Sequence, residues 1–119
     1  ICSIMKARGE LVYTCSYKSD GFTVKPICEE KLISRDELSK FLALDQEGTL
    51  LCGDGAADFF NDYRSTLFTL APPQSRLQNA TGVCLAGASA SLIDPELLEV
   101  SYLQKVKAEK DLEYRSKTN

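Results

Sequence analysis

The stretch Ile1-Cys-Ser-Ile-Met-Lys-Ala-Arg-Gly-Glu-Leu-Val-Tyr-Thr-Cys-Ser-Tyr17 decides how the rest of the chain reads. Ile1 to Met5 is almost wholly apolar with no periodic polar face, and it meets a polar step at Lys6, Arg8, Gly9 and Glu10. That is the pattern of a buried strand running into a turn. From Leu11 the residues become β-branched and aromatic. Leu11, Tyr13, Cys15 and Tyr17 fall on one face and Val12, Thr14 and Ser16 on the other, which is the period of a strand. The two runs predict a β-hairpin with Gly9 near its tip, on which every later element packs.

Working outward, Lys18-Ser-Asp-Gly-Phe22 carries an Asp-Gly turn signal. A third strand is expected from Thr23 to about Leu32, at an edge or bulged, because Pro26 has no amide to give to a ladder. Ser34-Arg-Asp-Glu37 is a capping box, and Leu38, Phe41 and Leu42 then supply the apolar stripe of a helix running to Leu44. Thr49 to Cys52 reads as a short buried strand ending in Gly53-Asp-Gly55. Ala56 to about Arg64 reads as a helix, with Asp54 or its neighbour as cap and Phe59, Phe60 and Tyr63 inward. Thr66 to Leu70 makes a fifth strand, closed by Pro72-Pro73. Ser75 then caps the longest helix, Arg76 to about Leu92, with Leu77, Ala80, Cys84, Leu85, Ala88 and Leu92 at core-facing spacing. Asp94-Pro-Glu opens a turn of helix or a loop. Beyond Tyr102 the charge rises and order is expected to fall.

This order, βββαβαβα, predicts an α/β protein with a ribonuclease H-like mixed sheet and helices on its faces. The 119 residues suit one domain, divided into a lobe over 1–103 and a charged tail over 104–119, and 44% hydrophobic with 26% charged residues is ordinary for a globular chain. No apolar run approaches the roughly 18–20 residues of a membrane span, and no basic-then-apolar leader precedes the first strand. The chain begins in mid-strand, with its only methionine at Met5, which leads us to expect a piece of a longer protein.

Chemistry is bounded by what the composition holds. Fourteen basic against 17 acidic residues give a net charge of −3, so the domain is no electrostatic sponge for nucleic acid, and a role in RNA work would pass through a partner. There is no histidine. Ser-His-Asp, Cys-His and His-x-x-x-His chemistries are therefore out of reach. The five cysteines, Cys2, Cys15, Cys28, Cys52 and Cys84, sit singly in apolar stretches without a Cys-x-x-Cys pair, which predicts free buried thiols in a reducing cytoplasm. A two-metal nuclease centre needs an acid on the first strand, and Ile1 to Met5 has none; Glu10, Asp54 and Asp58 are not brought together by the pattern.

Three sets of residues resemble a known family. Ala7-Arg8 with Val12-Tyr13 and Tyr17 is similar to the Asp-Ala-Arg…Val-Tyr…Tyr hairpin that opens the C-terminal half of the bacterial TsaB (YeaZ) family. Cys52-Gly-Asp-Gly-Ala56 resembles its Gly-Asp-Gly-Ala turn, and Asp94-Pro-Glu…Glu99-Val-Ser-Tyr-Leu-Gln104 its closing Asp-Pro…Glu-Pro-Val-Tyr-Leu-Arg signature. Lys6 stands where the family usually has aspartate, Val100 and Ser101 alter the Pro-Val step, and Gln104 replaces arginine.

The resemblance implies one of two ribonuclease H-like lobes of the superfamily of actin, heat-shock ATPases and sugar kinases. It implies a non-catalytic scaffold that pairs with TsaD, joined by TsaE, for transfer of a threonylcarbamoyl group to the tRNA adenosine beside the anticodon. The contact with TsaD would lie mainly in the other lobe. No catalytic residue, metal or cofactor is implied in this lobe, and ATP or ADP would enter only with the assembled complex. The alternative from the same superfamily is the C-terminal lobe of an ATP-using or hydrolytic enzyme of the glycoprotease type, with its catalytic residues in an upstream half.

Two stretches are candidate sites. Gly53, Asp54 and Gly55, between strand and helix, could offer amides to a nucleotide phosphate or lie near a partner, although a tight turn with an Asp cap explains the same residues. Lys105, Lys107, Lys110 and Arg115 could touch tRNA phosphates or an acidic partner, although mixed-sign terminal segments are usually solvated. Gly82, Ala86 and Ala90 recur every fourth residue and are expected to let the long helix sit close to the sheet. An isolated lobe would also expose the surface that its sister lobe covers, inviting a homodimer.

Overall fold

The opening hairpin forms as its alternation requires. The structure, a computed structural model, describes residues 1–104 together with Glu113 and Ser116. Strand β1 (Cys2–Lys6) pairs antiparallel with β2 (Leu11–Ser19), setting Ser3 opposite Cys15 and Lys6 opposite Val12. The connecting turn is closed by the Ala7 amide donating to the Leu11 carbonyl at 3.0 Å, with Gly9 at φ +65°.

Around this hairpin lie β3 (Val24–Pro26), β4 (Lys31–Ser34), helix α1 (Arg35–Leu42), β5 (Thr49–Cys52), α2 (Ala56–Asp62), β6 (Phe68–Leu70), α3 (Pro73–Arg76), α4 (Ala80–Ala88) and a 3-10 turn, Pro95–Leu97. The protein is α/β, with a mixed six-stranded sheet in the order β3-β2-β1-β5-β6, and β4 also on β2. β1, β5 and β6 run parallel to one another, whereas β3 and β4 are antiparallel to β2.

The expected third strand is two strands. Tyr17 faces Pro26 and Thr14 faces Lys31, so β2 advances three residues while the neighbouring chain uses five. Pro26 lies at the end of β3, on the sheet edge, where its missing amide costs no ladder bond. The extra residues form a bulge that bends the edge and lets β4 pair with the first half of β2.

Alternation sends Cys2, Ile4, Val12, Thr14, Thr49, Leu51 and Phe68 to one face of the sheet, where all are buried. Leu38 and Leu42 of α1, with Ala56 and Phe59 of α2, close the core over that face. The capping box starts α1: the Glu37 amide donates to the Ser34 hydroxyl at 3.2 Å, and the Glu37 carboxylate accepts the Ser34 amide at 3.0 Å. The helix stops at Leu42 with Ala43 as C-cap. Phe41, expected in the stripe, is exposed at 42% and carries the Lys31 ammonium 5.4 Å from its ring centroid. In α2, Phe59 is buried and Phe60 and Tyr63 pack against the core from its margin, as expected.

The long helix expected from Arg76 to Leu92 is broken. Arg76 is held by both its polar ends: its carbonyl accepts the Gly53 amide at 2.7 Å and its Nε donates to the Ala71 carbonyl at 3.0 Å. Leu77 then turns extended, and a new helix begins after Asn79, whose side chain accepts the Gly82 amide at 2.8 Å. Asn79, not Ser75, is the cap. α4 buries none of its residues, so the expected core positions Leu77, Cys84, Leu85 and Leu92 lie exposed, and the row Gly82, Ala86 and Ala90 does not seat the helix on the sheet. Among the described residues no helix is long and apolar enough to cross a membrane.

Candidate functional site

The Gly53–Gly55 turn is where β5 hands over to α2, directly beneath the end of β1. Gly53 has φ +101°, and a Cβ there would stand 2.2 Å from the Ile4 carbonyl oxygen. That distance forbids any other residue without movement of the backbone. The Gly53 amide donates to the Arg76 carbonyl at 2.7 Å and the Gly55 amide to the Ile4 carbonyl at 3.0 Å. The Gly53 amide is thus taken by the end of α3 and the Gly55 amide by β1. Asp54 does not cap α2, whose N-cap is Gly55 without a side-chain bond; its carboxylate accepts the Lys6 backbone amide at 2.8 Å. The turn thus extends the β1–β5 pairing by other means.

Around it lies a lattice of surface charges. The Lys6 ammonium meets the Asp58 carboxylate at 2.7 Å, and this pairing holds Asp58 below the usual carboxylate range and raises Lys6. Arg35, at the start of α1, bridges Glu10 at 3.5 Å and also pairs with Asp62 of α2, while the Tyr63 hydroxyl donates to Asp36. Lysine at position 6 thus pairs with an acid of α2 and tethers the hairpin to that helix. Glu10 pairs with Arg35. Among the described residues no three acids or thiols converge as metal ligands.

The second face of the sheet, the one away from α1 and α2, is the site that motif reading missed. Ser3, Met5, Tyr13, Cys15, Tyr17 and Cys52 line the floor of a groove of about 640 Å³, with Leu77 and 101–104 along its walls. The Tyr13 hydroxyl donates to the Gln104 side chain at 3.3 Å. A hydrogen bond with Cys15, and then burial, push the Tyr17 phenol up to about 12. Among the described residues the charged ones on the lining are Glu30 and Arg76, and Arg76 already bonds the Ala71 carbonyl. Two tyrosine rings, a half-exposed methionine, a buried thiol and a half-buried one make a trough that accepts an apolar surface. The signal for it was the row Leu11, Tyr13, Cys15, Tyr17. Alternation shows that such a row shares a face, but not which face the helices cover.

Of the five thiols, Cys2 and Cys15 are buried, Cys28 and Cys52 half-buried and Cys84 exposed. All are free, as expected, but Cys84 is not buried, because α4 buries none of its residues within the described part of the chain. Lys105, Lys107, Lys110 and Arg115 lie outside the described residues. No protein-family model matches the chain, and no curated protein is similar to it.

Proposed function

We propose that the chain is a ribonuclease H-like lobe of a TsaB-like scaffold subunit, without catalytic residues of its own, that acts by contact within a TsaD- and TsaE-containing complex modifying tRNA. The observation that carries this reading is the bulge between β3 and β4, opposite β2. When β3 and β4 are taken as one third strand broken at residues 27–30, the chain runs as three meandering strands followed by alternating helix and strand, with β5 and β6 parallel to β1. That is the element order expected of such a lobe. The hairpin and the Gly53–Gly55 turn, which carry the resemblance in sequence, meet at Ile4 and Lys6.

A role by contact is supported by the surface. Leu85, Leu92, Leu97, Leu98, Val100 and Tyr102 are each at least 70% exposed, an apolar display of the kind that marks interaction sites. The test is reconstitution. The protein is mixed with TsaD-like and TsaE-like partners, ATP, threonine, bicarbonate, the enzyme that makes threonylcarbamoyl-adenylate, and tRNA, and transfer to the adenosine is followed. Omitting the protein is expected to drop the rate to background; an unchanged rate would refute the scaffold reading.

A further inference from the structure

The bulge between β3 and β4, opposite β2, brings two cysteines together. Tyr17 stands opposite Pro26 and Thr14 opposite Lys31, so Cys15 and Ser16 face residues 27–30 of the neighbouring chain, which include Cys28. The Ile27 amide donates to the Ser16 carbonyl at 2.9 Å, so Ser16 turns its polar backbone toward the edge. Cys15 turns the other way, its amide donating to the Ser3 hydroxyl on β1 at 3.3 Å. Two contacts set Cys28 beside Cys15: the Cys15 thiol donates to the Cys28 carbonyl at 3.4 Å, and the Cys28 sulfur accepts the Ser16 amide at 3.3 Å. A disulfide spans Cα atoms roughly 4.4–6.8 Å apart, a reach that suits neighbouring strands about 4.8 Å apart.

The Cys52 thiol donates to the Cys2 carbonyl at 3.6 Å, but those two side chains leave opposite faces of the sheet. Cys2 points into the core, whereas Cys52 lines the groove on the other face. Cys15 and Cys52 flank Ser3 from opposite sides, which puts them two strands, roughly 9.6 Å, apart. Cys84 is exposed on α4.

We propose that Cys15 and Cys28 are an oxidation site, a cross-strand dithiol that a hydroperoxide converts reversibly into a disulfide clamping the bulge. Cys28 is half-buried and Cys15 buried, and burial pushes the Cys15 thiol up, so Cys28 is the sulfur that meets the oxidant. Its thiolate attacks the distal peroxide oxygen; the O–O bond breaks, the leaving oxygen takes a proton to become an alcohol or water, and Cys28 becomes a sulfenic acid. Cys15, as thiolate, then attacks the Cys28 sulfur. The S–S bond forms, the S–O bond breaks, and hydroxide leaves with a proton as a second water. Two electrons pass from the two sulfurs to the peroxide. This inference is independent of the scaffold reading.

The test uses the whole chain carrying Cys84→Ser, which removes the exposed thiol without touching the sheet. The folded protein is exposed to hydrogen peroxide, quenched in acid, alkylated under denaturing conditions and digested with trypsin. The expected result is a loss of two hydrogens from the intact mass and a link between the peptides carrying Cys15 and Cys28, both reversed by dithiothreitol. Recovery of Cys15 and Cys28 as alkylated thiols, a link between any other pair, or accumulation of sulfinic Cys28 beside reduced Cys15 would overturn the proposal.

Discussion

Replacing Gly53 with alanine tests the closest backbone approach in the fold. The added methyl would sit 2.2 Å from the Ile4 oxygen and 2.8 Å from its carbonyl carbon, atoms of the central strand that cannot rotate away. The residue would also have to hold φ +101°. Positive φ costs an L-residue about 1–2 kcal/mol, and forcing a methyl into filled space costs about 1–3 kcal/mol. A loss of about 2–5 kcal/mol follows. For a domain of this size 1 kcal/mol is worth about 4 °C, so the melting midpoint should fall by about 8–20 °C.

Two companion variants separate the two causes. Gly9→Ala has φ +65° but nothing within 4 Å of the new methyl, so it should cost only the backbone term, about 1–2 kcal/mol. Gly55→Ala meets a side-chain methyl of Ile4 at 3.0 Å at ordinary φ and should cost less than Gly53→Ala. Thermal and urea melts followed by circular dichroism read all three. Equal losses for Gly53→Ala and Gly9→Ala would refute the argument, because the contact with Ile4 would then count for nothing.

Ser34→Ala removes the hydroxyl that accepts the Glu37 amide and should lower stability by about 1 kcal/mol in a urea melt, with Ser34→Asn close to neutral. Phe59→Ala empties the centre of the core and should cost about 3–5 kcal/mol, whereas Phe41→Ala at the surface should cost far less. Asp20, Glu37 and Asp58 have folded pKa values lowered by hydrogen bonds to Thr23, Ser34 and Lys6 respectively. Their contribution is therefore full above the unfolded values of about 3.9 and 4.3 and is lost as pH falls through the lower folded values, so the urea midpoint should drop below about pH 4 and do so less steeply in Asp20→Asn. Lys6, raised by Asp58, works in the opposite sense, its contribution lasting below about pH 10.4 and fading as pH climbs through the folded value.

What was legible in the sequence was what is decided locally. The hairpin followed from alternation over residues 11–17, α1 from its capping box, and the strand-turn-helix at Cys52–Ala56 from two glycines, because each is set by a few adjacent residues. The third strand was legible only as apolar and edge-prone. Its division depends on β4 returning to pair with Leu11–Thr14, a contact between residues about twenty apart that no local pattern encodes. Asp54 carried a helix-cap signature yet bonds the Lys6 amide, since β1 ends beside it and offers a closer donor.

The segment after β6 shows why the longest helix and the groove were misjudged together. From Leu77 to Ile93 there is no charged residue, and within α4 small and apolar residues occur on every side. A helix apolar all round has no stripe to choose which face turns inward, so spacing alone fits several core assignments equally well. The pull of Gly53 and Ala71 on Arg76 decides the matter by ending the helix before it can cross the sheet. The consequence is paired: an apolar helix that buries none of its residues among the described ones, and a sheet face on which Met5 stays 47% exposed. Both lie away from the α1–α2 core, so a partner could bind them without disturbing the residues on which stability rests.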